Sequence, residues 1–345
     1  MSRRALTLAI AAVGAAGALI VAAVIPVPYV ALLPGPTYNT LGLLDGKPVI
    51  QISGHRTFPA GGHLNMVTIS YIGGPGASPP FTIFAALAAW LTPHEAVVPQ
   101  SELFPPGKTQ QQVIQQDTEE MASSQQAATA AALCQLGIGF ATIDTIASTV
   151  PGMPAARALR PGDVIKAVDG RPVTCRRSAA AMIGGLRAGQ RLVLTVERKG
   201  GRVNVPLTTV SYQGRAVIGV NVIESFRFPF TVKINVGNIG GPSAGLMFAL
   251  GIIDKLTPAN LAGGRFIAGT GEITVSGQVG PIGGIQQKMA AARAAGATIF
   301  LTPAANCPDT AGAVPPGLRL VKVSTLRGAI AALRALKRGR PVPTC

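Results

Sequence analysis

Charge is scarce in this chain, and acid is scarcer still: of 345 residues only 13% are charged, with 14 Asp and Glu against 30 Lys and Arg. With 48% hydrophobic residues, and 42 glycines and 28 prolines spread along it, the sequence describes a folded, turn-rich protein and excludes a disordered one. Aromatics are few, at 5%, and the basic residues lie in small separate groups at Arg176-Arg177, Arg198-Lys199 and Lys337-Arg338. Without a concentrated basic face or an arginine–aromatic platform, no nucleic-acid partner is expected, and the net charge of +16 is read as attraction to an anionic membrane surface. Histidine occurs only three times, as His55, His63 and His94, and no cluster has metal-ligand spacing, so neither a metal nor a cofactor is expected.

Cysteine is equally sparse. Cys134, Cys175, Cys307 and Cys345 form no CxxC pair, and their even number fits an oxidising, exported compartment. The expected pairs are Cys307 with Cys345 and Cys134 with Cys175; other connectivities, or four buried thiols, remain open at this point.

At the N-terminus, Arg3-Arg4 precede an uncharged run from Ala5 to Ile25, which at about 1.5 Å per residue matches a hydrocarbon core of about 30 Å. No Lys or Arg follows until Lys47, so the N-terminus is oriented inward and the rest of the chain is expected outside the cytoplasm of a cell membrane crossed once. The competing reading is a cleaved signal peptide, with Val21-Ala22-Ala23 supplying small residues for cleavage. Pro26-Val27-Pro28 and Pro34-Gly35-Pro36 suggest a stiff extracytoplasmic neck over residues 26–40.

Beyond the neck, Val49–Ser53 and Leu64–Tyr71 have strand composition, Phe81–Leu91 reads as a short apolar helix, and a Gln-rich helix is expected from Gln110 to Leu133. From Leu136 to about Thr209 the character changes. Val150-Pro151-Gly152-Met153-Pro154-Ala155-Ala156, Leu159-Arg160-Pro161-Gly162-Asp163-Val164-Ile165 and the Asp169-Gly170 turn follow one another. This series resembles a PDZ domain of the bacterial protease type. Gly137-Ile138-Gly139-Phe140 resembles the loop with which PDZ domains capture a peptide carboxylate, and it equally fits a helix end running into a first strand.

Gly241-Pro242-Ser243-Ala244-Gly245 stands just before the apolar helical segment Leu246–Lys255, which brings the Ser243 hydroxyl to a helix N-terminus where the Ser243 and Ala244 N–H groups can face an oxyanion. The G-x-S-x-G pattern is that of α/β-hydrolases, but those need a histidine later in the chain, and all three histidines precede Ser243. The remaining activator is an amine whose pKa burial lowers toward neutrality. Lys255 lies too far along its own helix, about 18 Å from the serine; Lys322 sits in a strand-like run and Lys337 in a basic tail. Lys288, opening an alanine-rich helix after Pro281-Ile282-Gly283-Gly284, is left.

These motifs, with Thr270-Gly271-Glu272-Ile273-Thr274 and Gly277-Gln278-Val279 in order between them, resemble the proteolytic domain of Lon proteases. The resemblance implies a Ser243–Lys288 catalytic dyad with Thr270 holding the lysine. The sequence departs from the family at Gly240, where an acid is common, and in lacking histidines over Thr231–Val236. Gly62–Ile69 faintly resembles the first strands of the same domain, with His63 a strand residue, which implies an inserted PDZ module.

The fold expected is therefore α+β: a transmembrane helix at 5–25, the neck at 26–40, the first part of a Lon-type domain at 41–125, a PDZ domain at 126–210 and the rest of the proteolytic domain at 211–345. Gly107-Lys108-Thr109 lacks the earlier glycine of a phosphate loop and follows two prolines, so no ATPase is read here. The expected function is ATP-independent serine endopeptidase action on membrane or extracytoplasmic proteins and peptides, with the PDZ domain selecting tails. Lon resemblance also implies a homo-oligomer, a hexamer in many relatives. The alternatives are a non-catalytic PDZ adaptor for exported peptide C-termini and an enzyme that cleaves its own neck.

Overall fold

A computed structural model of the chain describes residues 3–345. Helix α1, Arg3–Val24, buries none of its side chains and is, among the described residues, the one helix long and apolar enough to cross a membrane. Strands β1 (Tyr29–Asn39), β2 (Ile50–Ser53) and β3 (His63–Gly73) follow, then helix α2 (Ile83–Leu91), β4 (Ala96–Pro99) and the long helix α3 (Gln110–Leu136). Thr109 starts α3 with a reciprocal capping box to Gln112, and Gly137 ends it in the left-handed conformation.

The expected neck is mostly strand. β1 pairs with β3 and with β4, and Val30 and Ala31 are buried. Pro34 and Pro36 are tolerated because the register of β1 against β3 shifts between Pro34 and Thr37, where a missing N–H breaks no regular ladder. By composition alone, prolines at a bulge and prolines in a spacer look the same; only Pro26–Pro28 remain as a link.

The inserted unit contains β5 (Ala141–Thr149), β6 (Val164–Val168), α4 (Ala179–Gly184), β7 (Arg191–Arg198), β8 (Gly201–Thr208) and β9 (Val220–Arg227). Its sheet runs β8-β7-β6-β5-β9 over a core that includes Ile146, Ile165, Leu194 and Val196. Two expected boundaries move accordingly. The 125/126 boundary falls inside α3, whose Ala128, Ala131, Ala132 and Leu133 are buried in the same core as the helix after Ser243. The far boundary moves past 210, because β9 closes the inserted sheet by pairing with β5.

The chain then returns through β10 (Thr231–Ile234), paired with β2, to helix α5 (Gly245–Leu256), β11 (Phe266–Gly269), the short pair β12 (Glu272–Ile273) and β13 (Val279–Gly280), helix α6 (Ile285–Ala294), β14 (Ile299–Pro303), β15 (Arg319–Val323) and α7 (Leu326–Lys337). The main sheet runs β15-β14-β11-β3-β1-β4, parallel from β15 to β3 and antiparallel beyond. Since β3 precedes the inserted unit and β11 follows it, one sheet is built from both sides of the insertion.

Helix α5 is the centre of this layer. Leu246, Met247, Phe248, Ala249, Leu250 and Ile252 are fully buried, with α3, the sheet and α7 around them. Disulfides join Cys134 to Cys175 and Cys307 to Cys345, the first tying the end of α3 to the segment before α4. Phe248→Ala would leave a cavity in the best-packed part of the core and is expected to cost ~3–5 kcal/mol, read as a lowered urea midpoint; a loss below ~1 kcal/mol would mean that α5 is not the centre of the fold.

Candidate active site

Ser243 sits in a loop that other elements hold from two sides. Gly241 adopts φ +82°, a conformation glycine takes without strain, and its N–H donates to the Asp117 carbonyl on α3 at 2.9 Å. The Ser124 hydroxyl, about two turns further along the same face of α3, donates to the Pro242 carbonyl at 2.9 Å. On the other side, the Ser243 carbonyl accepts from the Gly271 N–H at 2.8 Å and from the Thr270 hydroxyl at 2.9 Å, while Leu246 N–H donates to Gly271 at 3.0 Å. Gly245 begins α5 so close to its neighbours that a Cβ would meet Ile273 Cγ2 at 2.8 Å and Ser124 Oγ at 3.0 Å. The glycines of this motif therefore serve close packing and turn geometry, and they bring the serine to the first turn of a buried helix. Among the described residues no acceptor engages the N–H groups of Ser243 and Ala244.

Lys288 reaches the serine from α6. The helix begins at Ile285 after Gly284 in the left-handed conformation, so Lys288 lies in the first turn, slightly later than its sequence suggests. Its Nζ is 2.7 Å from Ser243 Oγ, 3.4 Å from Thr270 Oγ1 and 3.3 Å from the Val67 carbonyl on β3. The side chain is 3% exposed, and among the described residues no carboxylate forms an ion pair with it. Burial lowers its pKa from 10.5 to about 8. The positive end of α6 works in the same sense, since a cation is disfavoured at a helix N-terminus. A neutral amine fits the three oxygens without conflict: two N–H groups donate to Val67 and Thr270, and the lone pair accepts from the serine hydroxyl. Thr270 spends its own proton on the Ser243 carbonyl and so presents a lone pair to the lysine.

Several neighbours were not legible in the sequence. Val67 enters through a backbone carbonyl, which carries no residue signature. Asp117 and Ser124 come from a helix that reads as a generic Gln-rich segment. At Gly240, the position lacking the family's acid, a Cβ would collide with Asp117 Cβ at 2.7 Å, so α3 occupies that space and brings an acid with it. Burial, then the nearby Glu120, raises the carboxyl pKa of Asp117, and the same two causes raise that of Glu272. His63 is an exposed residue of β3 stacked on Phe266 at 4.5 Å.

Gly137-Ile138-Gly139-Phe140 do not border a free strand. Gly137 caps α3, and the segment leads into β5, which is covered on both sides by β6 and β9. The sheet has two edge strands, β8, paired with β7, and β9, paired with β5. The turn before β9 holds Gly219 at φ +80°, and α4 packs against the neighbouring residues 215–217. Residues 137–140 thus lie where the end of α3 runs into the first strand of the inserted sheet, one of the two readings open in the sequence. The inserted unit also meets the proteolytic layer near the serine: Val275, in the turn after β12, lines a small cavity with Thr142, Asp144, Cys175 and Glu224.

The buried amine has a measurable consequence for stability. The folded pKa lies below the unfolded one, so the unfolded chain binds more protons between about pH 8 and 10.5, and the cost of burying Lys288 falls as pH rises through that window. A shift of this size is on the order of 3 kcal/mol. Thermal melts of wild type and Lys288→Met are expected to show the variant gaining relative stability at pH 7 and losing that gain toward pH 10; a pH-independent difference would show that the amine is not desolvated.

The Lon protease (S16) C-terminal proteolytic domain family matches residues 231–331, and the PDZ domain family matches residues 134–209. A Lon protease of Roseiflexus castenholzii is 46% identical over 69 residues, 20% of this chain and 8% of that one. A Lon protease of Heliobacterium modesticaldum is 32% identical over 138 residues, 35% of this chain and 17% of that one. The chain thus spans less than a fifth of the length of these relatives. Among solved structures, the PDZ domain of an SdrC-like protein from Listeria monocytogenes matches 23% of this chain and 86% of its own at 19% identity, with a TM-score of 0.21, too low to add to the argument. The chain thus carries a segment similar to a Lon-type C-terminal proteolytic domain and, before it, a segment similar to a PDZ domain, both behind one apolar N-terminal helix.

Proposed function

We propose that this chain is a serine endopeptidase that needs no ATP, with Ser243 as nucleophile, Lys288 as general base and Thr270 orienting the amine. The observation that carries the reading is the 2.7 Å approach of the Lys288 amine to the Ser243 hydroxyl at a buried position that has no carboxylate partner among the described residues. With a pKa of about 8, roughly a tenth of the lysine is neutral at pH 7, enough to accept the serine proton as the oxygen attacks a scissile carbonyl. The oxyanion that forms faces the Ser243 and Ala244 N–H groups at the start of α5. Lys288 then passes the proton to the leaving amine, and water, deprotonated by the same lysine, releases the acyl group.

The substrates we propose are flexible segments of membrane or extracytoplasmic proteins, since no phosphate loop is read in these residues and an enzyme without an unfoldase depends on segments that are already open. The free edge of β9 is the proposed site where a peptide tail adds a strand, with the turn at Gly219 receiving its carboxylate. Helix α1 is proposed to span the membrane with the remaining chain outside the cytoplasm, a reading favoured by Arg3 and Arg4 before it.

The test is hydrolysis of casein by the full-length chain in detergent, without nucleotide. Wild type is expected to cleave with a rate that rises with pH through about 8, because only the neutral amine is a base. Ser243→Ala and Lys288→Ala are expected to lose roughly 10²–10⁴-fold or more, and Thr270→Val on the order of tenfold, the value of one hydrogen bond. If all three variants match wild type while C-terminal peptides still bind, the chain is an adaptor and the hydrolase reading fails.

A further inference from the structure

Helix α2 turns its small residues inward and its large ones outward. Ala85, Ala86 and Ala89 pack with Phe81, Ala31 and Val97 against β1 and β4. Ile83, Phe84, Leu87, Trp90 and Leu91 are exposed, Trp90 by 71% and Leu91 by 76%. Their spacing puts these five on one helical face. A helix on a water-facing surface buries its large apolar residues and exposes its small or polar ones, so this face is built to be covered. Ile72, also exposed and paired with Ala31, extends the apolar surface at the end of β3, where the next residue, Gly73, abuts Phe81.

The point of attachment identifies what covers it. The chain leaving α1 is fastened to the start of α2: Pro26 forms a bridge with Thr82, the residue that caps α2, and Val27 N–H donates to the Phe81 carbonyl at 2.8 Å. The two helices touch. The end of α1 and the first turn of α2 are therefore held at one level, and two bare apolar surfaces meet at one junction. A second copy of the chain would have to cover α2 while leaving α1 to lipid only a few residues away.

We propose that the outward face of α2 lies in the interfacial layer of the same bilayer that α1 crosses, with Trp90 at headgroup depth. This rests on the reading of α1 as a span. The lipid class follows from charge: at +16 the protein is drawn to anionic headgroups, and an aromatic and leucine-rich face suits the boundary between headgroup and acyl chain. Two anchoring elements in place of one would fix the proteolytic sheet against the membrane and confine Ser243 to segments near its surface.

Trp90 is the only tryptophan in the chain and reports directly on the proposal. The full-length protein is reconstituted into vesicles of phosphatidylcholine and phosphatidylglycerol, and flotation establishes whether it is membrane-bound. Trp90 emission is expected to be blue-shifted relative to a Leu87→Glu/Leu91→Glu variant and quenched several-fold more by lipids brominated near the headgroup than by aqueous iodide. The variant changes only exposed positions, and its unchanged casein hydrolysis shows that it folds. If the protein floats and Trp90 is quenched by iodide as in water, the α2 proposal fails while α1 stands. If it does not float, the span reading fails and this proposal with it. Trp90 shielded from both quenchers would assign the face to a second copy and overturn the lipid reading.

Discussion

An amine deep in a protein, paired with oxygens but with no carboxylate, is the constraint around which this structure is arranged. Among the described residues Lys288 meets Ser243, Thr270 and the Val67 carbonyl and no group that compensates a full charge. A buried ammonium is costly, so such a site favours the neutral base, provided the three oxygens are held at hydrogen-bonding distance. Each comes from a different element: β3 supplies Val67, the end of β11 leads to Thr270, and the start of α5 carries Ser243. The main sheet aligns the first two, because β3 and β11 are parallel neighbours in register from His63 with Phe266 to Met66 with Gly269. The inserted unit interrupts the chain between these strands without interrupting the sheet.

The third element, the serine loop, is held by hydrogen bonds from opposite sides, by Asp117 and Ser124 on α3 and by Thr270 and Gly271 on the β11–β12 turn. Both clamps extend toward the inserted unit. α3 continues to Cys134 and is bridged to Cys175, and the turn after β12 carries Val275 into the cavity shared with Asp144 and Glu224. These two acids face each other across β5 and β9; burial, and then Glu224 beside it, raises Asp144 to about 6, and burial raises Glu224. The contact between the two units is thus continuous with the supports of the Ser243 loop.

Much of this was legible in the sequence because the chemistry is concentrated in short motifs. Gly241–Gly245 announced a tight turn into a helix, the position of the histidines excluded one base, and elimination among the lysines left Lys288. What could not be read depends on strand order and backbone. Val67 contributes a carbonyl; Pro34 and Pro36 resemble a spacer until the bulge between β1 and β3 is seen; β9 lies beyond a hairpin and joins its sheet only through pairing with β5. The inverted face of α2 was read as a short apolar helix, since composition does not say which side of it is inward.

The central claim is that a neutral Lys288 activates Ser243, and the most direct measurement is the pH dependence of covalent labelling by a phosphonylating serine reagent, followed by mass spectrometry of the intact chain and its peptides. The account predicts a single adduct on Ser243 whose rate of formation climbs with an apparent pKa near 8 in wild type and is nearly abolished, at every pH, in Lys288→Gln. Labelling of Ser243 at the same rate in both proteins, or an adduct on another serine, would contradict it.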